Sequence, residues 1–582
     1  MGAEIFAPKN RMHSLKAEQK IIVTAAIVAL TSTAVAVAIT RHHAQPRTTP
    51  SVDMAALFAA DIPSTPAAPT RFVDIAVKAG IDYKWMMPGK SPRSIEQTIG
   101  NGCAMFDFDG DGNLDILLVG PRLALYKGDG HGRFTDVTGS VGLGKFHGDY
   151  LGCSVADFDN DGYDDLFISG FHTALLLHNS GGKTFVDVTA GSGIDTSTWS
   201  TSSAWADVDG DGKLDMFVCN YLKFDSNTPQ TCPFGKIEAA CGPTHYQADQ
   251  GHLYRGDGRG HFTDITDGVG AGGSSGKSLG VAFADFEDYG RPSLYVANDT
   301  EPGNLLINRR GSFTDEGHQS GTSTHDDGMP FSGMGVDWGD YDNDGNLDLA
   351  LMAFQLEDKG IFHYEGDGLF TNQYRDLGFK PGSNPWMTFG VKWIDYDNDG
   401  FLDLAYSSGH VQDNITDAIL AIKLRQPTML YHNKNGEHFD NVAAGLIGDA
   451  DRPIVGRGLA TGDFDNDGRE DILVADSDGR PLLLRNETPS TGHWLSLKLV
   501  GTSSNRDGYG AQVTVDLGAM KLLRFCHSDG SYMSASDMAV HFGLGKTTAV
   551  KDVTIKWPSG IVQHLGRVSI DKRLIVHEPA RN

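Results

Sequence analysis

A nine-residue pattern rich in aspartate recurs six times along the 582-residue chain. Each copy reads Asp-x-Asp-x-Asp-Gly-x-x-Asp, as in the segment 107–115, DFDGDGNLD. The carboxylates at positions 1, 3 and 5 of such a tight loop converge on one point, and the glycine at position 6 permits a sharp turn. Ligand sets made only of oxygen suit a hard cation, and a site this rich in carboxylates favours Ca²⁺ over Mg²⁺. The pattern therefore predicts about six calcium sites.

The six copies define a full set of expected calcium ligands. Positions 1, 3, 5 and 9 contribute carboxylates, and position 7 contributes a backbone carbonyl because its residue type varies. The expected ligands are Asp107, Asp109, Asp111, Asn113, Asp115; Asp157, Asp159, Asp161, Tyr163, Asp165; Asp207, Asp209, Asp211, Lys213, Asp215; Asp340, Asp342, Asp344, Asn346, Asp348; Asp395, Asp397, Asp399, Phe401, Asp403; and Asp463, Asp465, Asp467, Arg469, Asp471. A seventh copy, 285–293, carries Tyr289 at position 5 and Ser293 at position 9, so we expect it to be empty or weak.

The charge balance agrees with this interpretation. The chain has 75 acidic and 48 basic residues, a formal net charge of −27. Carboxylates crowded into one loop raise one another's pKa values unless a cation neutralises them. The acid excess argues against nucleic acid as a partner, because phosphate binding relies on clustered lysine and arginine. Saturated coordination predicts a structural metal rather than a catalytic one.

The aspartate loops belong to a larger repeat of short strands. A strand led by phenylalanine precedes each copy, at Phe72, Phe134, Phe185, Phe262, Phe313, Phe370 and Phe439. An apolar run and a glycine-rich hairpin follow each copy, and no sustained helical period occurs after residue 40. About four strands per repeat, seven times, predict an all-β fold with a seven-bladed β-propeller over residues 69–488. A small β-rich domain over residues 489–582 follows it.

These motifs resemble known families. The repeats resemble the FG-GAP/VCBS repeats of integrin α-subunit propellers. The segments NRDGYGAQVTV (505–515), SDGSYMSASD (528–537) and VTIKWPSGIVQHL (553–565) resemble the ASPIC/UnbV domain. Together they resemble the cartilage acidic protein family, which implies an extracellular calcium-binding propeller with a small β-rich cap. The resemblance implies an architecture more than a biochemical role.

The N-terminal region predicts export. Residues 21–39 form an uncharged run that would span about 28 Å as a helix, close to the thickness of a bilayer core. Basic residues are more numerous before the run than after it, which predicts a signal-anchor over 21–40 with residues 1–20 in the cytoplasm. A cleaved signal peptide is the alternative. The proline-rich residues 41–68 predict a tether. The bulk of the chain is expected in the periplasm, at the cell surface or, after cleavage, in the medium.

Two further features concern possible sites. Cys232 and Cys241 lie in an insertion and are expected to form a disulfide in an oxidising compartment, although both could be free thiols. Asn298-Asp299 and Ser408-Gly-His410 follow strands whose loops reach one propeller face, so they could line a ligand site. Turn-forming polar residues explain them equally well.

Three functions remain compatible with the sequence. The first is a tethered recognition or adhesion module that binds a protein or glycan through one propeller face. The second is an exported polysaccharide-active enzyme, and the third is a scaffolding subunit of a surface complex. The sequence shows no nucleophile elbow, phosphate loop or zinc-protease motif, so we expect a protein that is not an enzyme.

Overall fold

The computed structural model describes residues 70–273, 276–379, 385–489 and 492–581. The predicted cytoplasmic segment 1–20, signal-anchor 21–40 and tether 41–68 lie outside the described residues. Within the described ranges, no helix has the length and apolarity needed to cross a membrane.

Seven sheets of mainly antiparallel strands follow one another between residues 72 and 486 of the described chain. Sheets 1 to 6 each contain four strands in sequence order, and the N-terminal strand completes sheet 7. The first strands are Cys103–Phe106, Tyr150–Ala156, Ser200–Ala206, Ser278–Ala284, Val336–Gly339, Thr388–Ile394 and Gly456–Gly462. The second strands are Asp115–Leu118, Asp165–Gly170, Asp215–Asn220, Ser293–Asn298, Asp348–Leu351, Asp403–Ser408 and Asp471–Asp476. The third strands are Ala124–Gly128, Leu175–Asn179, His252–Gly256, Asn304–Asn308, Gly360–Gly366, Met429–Asn433 and Leu482–Asn486. The fourth strands are Phe134–Asp136, Phe185–Asp187, Phe262–Asp264, Phe313–Asp315, Leu369–Asn372, Phe439–Asn441 and, in sheet 7, Phe72–Asp74.

The sheets are arranged in a ring. The first strand of each sheet packs against the first strand of the next, and that of sheet 7 packs against that of sheet 1. Phe72–Asp74 pairs antiparallel with Leu482–Asn486, and Leu446–Ile447 pairs parallel with Phe72–Asp74. Both ends of the repeat region therefore lie in sheet 7. The predicted all-β fold with propeller-like four-stranded sheets is confirmed.

The phenylalanine of each fourth strand joins neighbouring sheets. Phe185 of sheet 2 packs on Phe108, the residue at position 2 of the aspartate loop of sheet 1, with ring centroids 6.3 Å apart. Equivalent contacts join Phe262 to Phe158, Phe370 to Phe286, Phe439 to Tyr341, Phe72 to Tyr396 and Phe134 to Phe464, and Phe313 shares a core cluster with Val208. The phenylalanine strand that precedes each loop in the sequence thus belongs to the preceding sheet of the ring.

Helices are few and short. The α-helices of the described residues are Ala76–Ala79, Ile95–Thr98, Thr266–Val269, Gly317–Ser320 and Ile415–Ala418. The 3₁₀ turns are Leu143–Lys145, Pro243–His245, Ala271–Gly273, Ala443–Gly445 and Gly448–Asp451. An insertion after the second strand of sheet 3 adds the strand pairs Leu222–Lys223 with Gln247–Ala248 and Thr231–Phe234 with Ile237–Ala240.

The C-terminal residues form two further sheets around their own core. One sheet has His493–Val500 between Val540–Gly545 and Lys572–His577, and the other contains Lys521–Phe525, Gln512–Asp516, Asp552–Lys556 and Val562–His564 in that order. Leu497, Val513, Phe542 and Trp557 are almost fully buried between them. Burying these apolar side chains stabilises the domain by the hydrophobic effect.

A segment of the C-terminal domain fills the centre of the ring. We call residues 528–537 the strap. Its hydrogen bonds reach the first strand of every sheet: Cys103, Cys153, Ser202, Phe283, Val336, Lys392 and Thr461. Tyr532 and Met533 of the strap have no exposed surface. The repeats and the C-terminal domain form one compact unit for this reason.

Candidate metal centres

The aspartate loops connect the first strand of each sheet to the second, and the six complete copies share one conformation. In the second copy, Asp157 Oδ1 and Oδ2 accept the backbone N–H groups of Asp161 (2.9 Å) and Gly162 (2.7 Å), and Asp161 Oδ1 accepts that of Tyr163 (3.0 Å). The same three bonds occur in the other five complete copies. The position-1 carboxylate therefore holds the loop closed.

The backbone conformation at loop positions 4 and 6 explains which residue types occur there. Position 4 has a positive φ in every copy, as at Asn160 (60°), and position 6 does too, as at Gly162 (97°). Glycine adopts such angles without strain, and asparagine does so more readily than other residues. Position 4 is accordingly Gly, Asn or Asp in all seven copies, and position 6 is always Gly.

The aspartate at position 9 is the first residue of the second strand and is buried. Asp115 Oδ2 accepts the N–H of Phe108 (2.9 Å) and Asp115 Oδ1 that of Gly128 in the third strand (2.8 Å). Equivalent pairs of bonds occur at Asp165, Asp215, Asp348, Asp403 and Asp471. A carboxylate oxygen that accepts one N–H retains capacity for another ligand. Position 9 thus joins the loop to two strands while remaining next to the other carboxylates.

Burial and mutual repulsion perturb the loop carboxylates. Burial, with the charges of Asp109 and Asp107 as further causes, raises the pKa of Asp115 to about 8. Burial raises the pKa of Asp157 to about 8, with the neighbouring Asp507 carboxylate as the next cause. The pKa values of Asp395, Asp403 and Asp471 are also well above the usual value, mainly through burial. Ionised carboxylates in these loops need a compensating positive charge.

A basic residue in the third strand supplies part of that charge. Lys127 Nζ lies 2.9 Å from Asp111 Oδ2, and His178 Nδ1 lies 3.4 Å from Asp159 Oδ2. His363 and His432 approach the position-3 carboxylates of their loops in the same way, and Arg255 and Arg485 occupy the equivalent strand position. In sheet 4, whose loop is degenerate, this residue is Ile307. The sequence analysis missed these residues, because insertions change their distance from the loops and only alignment of the third strands reveals the recurrence.

The residues present fit a calcium ion. Asp109 Oδ1, Asp397 Oδ1 and Asp465 Oδ1, all at position 3, are buried without a hydrogen-bond partner among the described residues. Carboxylate oxygens of Asp107, Asp109 and Asp111 lie within 4.8 Å of one another. Buried oxygens of this kind cost free energy unless a cation or donor meets them. An oxygen-only donor set is the one that calcium prefers.

The seventh loop has the conformation of the complete copies but different charged residues. Asp285 accepts the N–H groups of Tyr289 and Gly290, as in the complete copies. Glu287 Oε2 at position 3 is likewise buried without a partner, so this oxygen does not distinguish the seventh copy. What distinguishes it is the missing acids at positions 5 and 9, together with an ion pair between Asp288 and Lys556 of the C-terminal domain.

The C-terminal domain lies on the face of the ring that carries the aspartate loops, which we call the loop face. Lys498 Nζ is 3.3 Å from Asp107 Oδ2. Asp507 Oδ2 accepts the N–H of Asp157 (2.7 Å). Similar contacts join Gly543 to Asp395, Arg524 to Gly400 and His541 to Asn398. The loops therefore help to position the C-terminal domain, which covers much of this face.

The opposite face is formed by the loops that join second to third strands and each sheet to the next. The insertion of sheet 3 lies here, and Cys232 and Cys241 form a disulfide across its hairpin. The remaining four cysteines are buried free thiols. Exposed apolar side chains on these loops include Met86, Phe234 and Leu420, of which Leu420 is 78% exposed. This face carries no covering domain among the described residues.

Solved structures resemble the chain only weakly. An Agrocybe aegerita structure that addresses specific recognition of non-reducing terminal N-acetylglucosamine has a TM-score of 0.38 and 16% identity, covering 65% of this chain and 87% of the other. The BP39L lectin from Burkholderia pseudomallei has a TM-score of 0.39 and 12% identity, covering 66% and 95%. BBS1N in complex with ARL6DN has a TM-score of 0.39 and 9% identity, covering 70% and 98%. At these scores the likenesses carry no functional argument.

Curated relatives and family models give a clearer result. Cartilage acidic protein 1 of Homo sapiens is 26% identical over 290 residues, or 48% of this chain and 41% of the relative. The Xenopus tropicalis protein is 25% identical over 48% and 42%, and the Mus musculus protein is 25% identical over 64% and 54%. The chain thus matches about half the length of these relatives. The model described as ASPIC and UnbV matches residues 501–582, and the FG-GAP-like repeat model matches 107–168 and 157–218. The predicted resemblance is confirmed: the chain carries FG-GAP-like repeats and an ASPIC and UnbV domain, and it is similar to cartilage acidic protein 1.

Proposed function

We propose that this chain is a membrane-tethered, calcium-binding, seven-bladed β-propeller that acts outside the cytoplasm as a recognition or adhesion module for a protein or glycan. The observation that carries the proposal is the asymmetry of the two faces. The loop face is occupied by the C-terminal domain, so the opposite face is left to bind a partner.

The ring of first strands supports the interpretation of the seven sheets as blades of one closed propeller. The contact between sheets 7 and 1 completes the ring, and the strand Phe72–Asp74 ties its ends together. Radial repetition of small sheets leaves only short, protected strand edges that could recruit other chains. Such a scaffold holds its surface loops in fixed positions, which recognition requires.

Calcium would be held by the carboxylates of the six complete loops. The ion supplies the positive charge that the buried carboxylates lack, and the surrounding residues hold the loops in the shape that presents those oxygens. An ion present at about 100-fold above its dissociation constant adds about 2.7 kcal/mol to the free energy of unfolding per site. The metal role is therefore structural, and no catalytic step is assigned to it.

The hairpin of the sheet 3 insertion lies on the proposed binding face. Phe234 at its tip is 38% exposed, and the Cys232–Cys241 disulfide fixes the hairpin from which it projects. A constrained hairpin loses little conformational entropy on binding. Disulfides persist in oxidising compartments, which supports the extracytoplasmic location.

The test uses the full chain in detergent on a glycan array and against a library of secreted proteins. We expect calcium-dependent binding that Phe234→Asp weakens at least tenfold. The matched control is Leu369→Asp, since Leu369 is 52% exposed but lies on the loop face. If Leu369→Asp weakened binding and Phe234→Asp did not, recognition would occur on the loop face, which would contradict the proposal. A sample that is folded, loaded with calcium and inert toward both collections would contradict the recognition function.

A further inference from the structure

A cavity of about 330 Å³ lies on the opposite face, at the mouth of the central channel. Ile99, Leu279, Met334 and Phe389 contribute apolar walls. The strap closes its base, because the Tyr532 ring packs on Phe389 at 5.0 Å and its Oη donates to Ile99 O (2.9 Å). The channel is therefore a blind pocket of the size that small organic ligands occupy.

The sheet 3 insertion forms one side of this cavity. Residues 240–244, which include Cys241 of the disulfide, line it. Asn414 Nδ2 donates to Glu238 O (2.8 Å) and so links the insertion to the loop of sheet 6 that carries Gln412. This hydrogen bond holds the insertion at the mouth of the pocket.

Several oxygen atoms of the cavity can accept hydrogen bonds. Asp299 is 5% exposed, and its Oδ2 accepts the Tyr221 hydroxyl at 2.6 Å. Thr300 Oγ1 and Gln412 Oε1 are buried without a hydrogen-bond partner among the described residues. Gln412 Oε1 can only accept a hydrogen bond and the Thr300 hydroxyl can do so, so a ligand that brings donors would satisfy both.

The backbone at Thr300 is strained. Its φ is +62°, a conformation that β-branched residues adopt very rarely. The bonds Asp299 N–H to Lys277 O (2.9 Å) and Thr300 N–H to Phe331 O (3.0 Å) hold this turn in place. Strain of this kind persists where surrounding structure imposes it and is concentrated at functional sites.

The described side chains that line the cavity include acids and no base, whereas Lys277, Lys359 and Arg457 are buried behind its walls. Glu357 also lines it, but both of its oxygens are bonded to Ser332. Lys277 is buried nearby and pairs with Glu301 at 3.0 Å. Burial, with the Glu357 charge as a further cause, raises the pKa of Asp299 to about 7, so a cationic ligand would favour its ionised form.

We propose that this cavity binds a small organic cation, with an aliphatic or aromatic body against the apolar walls and an ammonium or amidinium head held by Asp299. Thr300 and Gln412 accept the remaining N–H groups of that head. The inference goes beyond the proposed adhesion function and depends neither on it nor on calcium.

The test measures binding of three probes of similar shape to the full chain by calorimetry and saturation-transfer NMR. The probes are benzamidine, benzamide and benzoate, in the same buffer with calcium. We expect benzamidine to bind at least tenfold more tightly than benzamide, and benzoate not to bind. Equal binding of benzamidine and benzamide, or preference for benzoate, would overturn the proposal.

Variants locate the site. Asp299→Asn keeps the shape and a Tyr221 contact, and we expect it to abolish the preference for benzamidine. Gln412→Leu, in a loop at the pocket mouth, tests the same site without touching the Tyr221–Asp299 pair, and it should weaken benzamidine binding severalfold. Asp326→Asn changes an exposed acid of the same face outside the cavity and should have no effect. Unchanged benzamidine binding in both cavity variants would place the probe elsewhere and refute the assignment.

Discussion

Replacing Asp397 by asparagine is expected to change stability in opposite directions with and without calcium. Asp397 occupies position 3 of its loop, and its Oδ1 is buried without a partner among the described residues. If calcium is bound, the aspartate stabilises the loop as a ligand. Without calcium it repels its neighbours: after burial, the Asp397 charge is the largest cause that raises the pKa of Asp399 to about 6.

The magnitudes follow from the loop geometry. Loss of one site at about 100-fold excess of calcium over its dissociation constant removes about 2.7 kcal/mol. Carboxylate oxygens of Asp397 and Asp399 lie within 4.8 Å of each other. At that distance two like charges repel by about 3.5 kcal/mol at an effective dielectric constant of about 20. His432 Nδ1, 3.6 Å from Asp397 Oδ2, offsets part of this repulsion, so we expect a net gain of about 1 kcal/mol without calcium.

The assay is urea unfolding of the full chain in excess calcium and in excess EDTA. The midpoint of Asp397→Asn should lie below that of the wild type in calcium and above it in EDTA, and native mass spectrometry should find one ion fewer. Glu287→Gln makes the same change at position 3 of the seventh loop, and its effect should not depend on calcium. An Asp397→Asn shift of the same sign and size in both solutions would refute the metal assignment.

Three further predictions test the backbone, the insertion and the buried acid. Gly162→Ala should lower the free energy of unfolding by about 1–2 kcal/mol, because φ is +97° there; Gly139→Ala, which has open space and an ordinary φ, should not. Replacing Cys232 and Cys241 by serine removes a disulfide that stabilises the folded insertion by about 2–3 kcal/mol. Proteolysis within 225–246 should therefore become faster, while the melting temperature of the ring stays nearly constant. Cleavage as slow as in the wild type would contradict this. Asp299 has a raised pKa, so the folded state binds its proton more tightly than the unfolded state does. Relative to Asp299→Asn, wild-type stability should therefore fall by up to about 1.4 kcal/mol per pH unit between about pH 4 and about pH 7 in urea unfolding, and a constant difference would disprove the burial effect.

Local features of the fold could be predicted from the sequence because each depends on residues close together in the chain. The aspartate loops are of this type, since the side chains and the glycine that shape them lie within nine residues. The strap is different. SDGSYMSASD reads as a polar turn, yet Tyr532 and Met533 are buried and form hydrogen bonds to Ile99 and Ser202, more than 300 residues away. No pattern within the segment marks those partners.

The cavity illustrates the same limit at a site. The sequence indicated that Asn298-Asp299 and Ser408-Gly-His410 approach one face, and Asp299 does line the cavity. His410 instead lies buried behind it, where its Nδ1 accepts the N–H of Gln412 at 3.0 Å and burial lowers its pKa to about 3. Which of the two polar segments reaches the pocket depends on how the sheets pack, and that packing has no local signature.

Because the strap occupies the centre of the ring, the order of synthesis matters. The N–H of Cys103 in sheet 1 donates to the Ser534 hydroxyl, 431 residues later in the chain. Every first strand therefore emerges from the ribosome before the segment that will fill the space beside it, and that of sheet 1 emerges 431 residues earlier. Contacts between such distant residues form slowly. The nascent chain must keep seven incomplete inner strands from aggregating until almost the whole protein has been made, so we expect its production to depend on chaperones more strongly than that of a propeller with an empty channel.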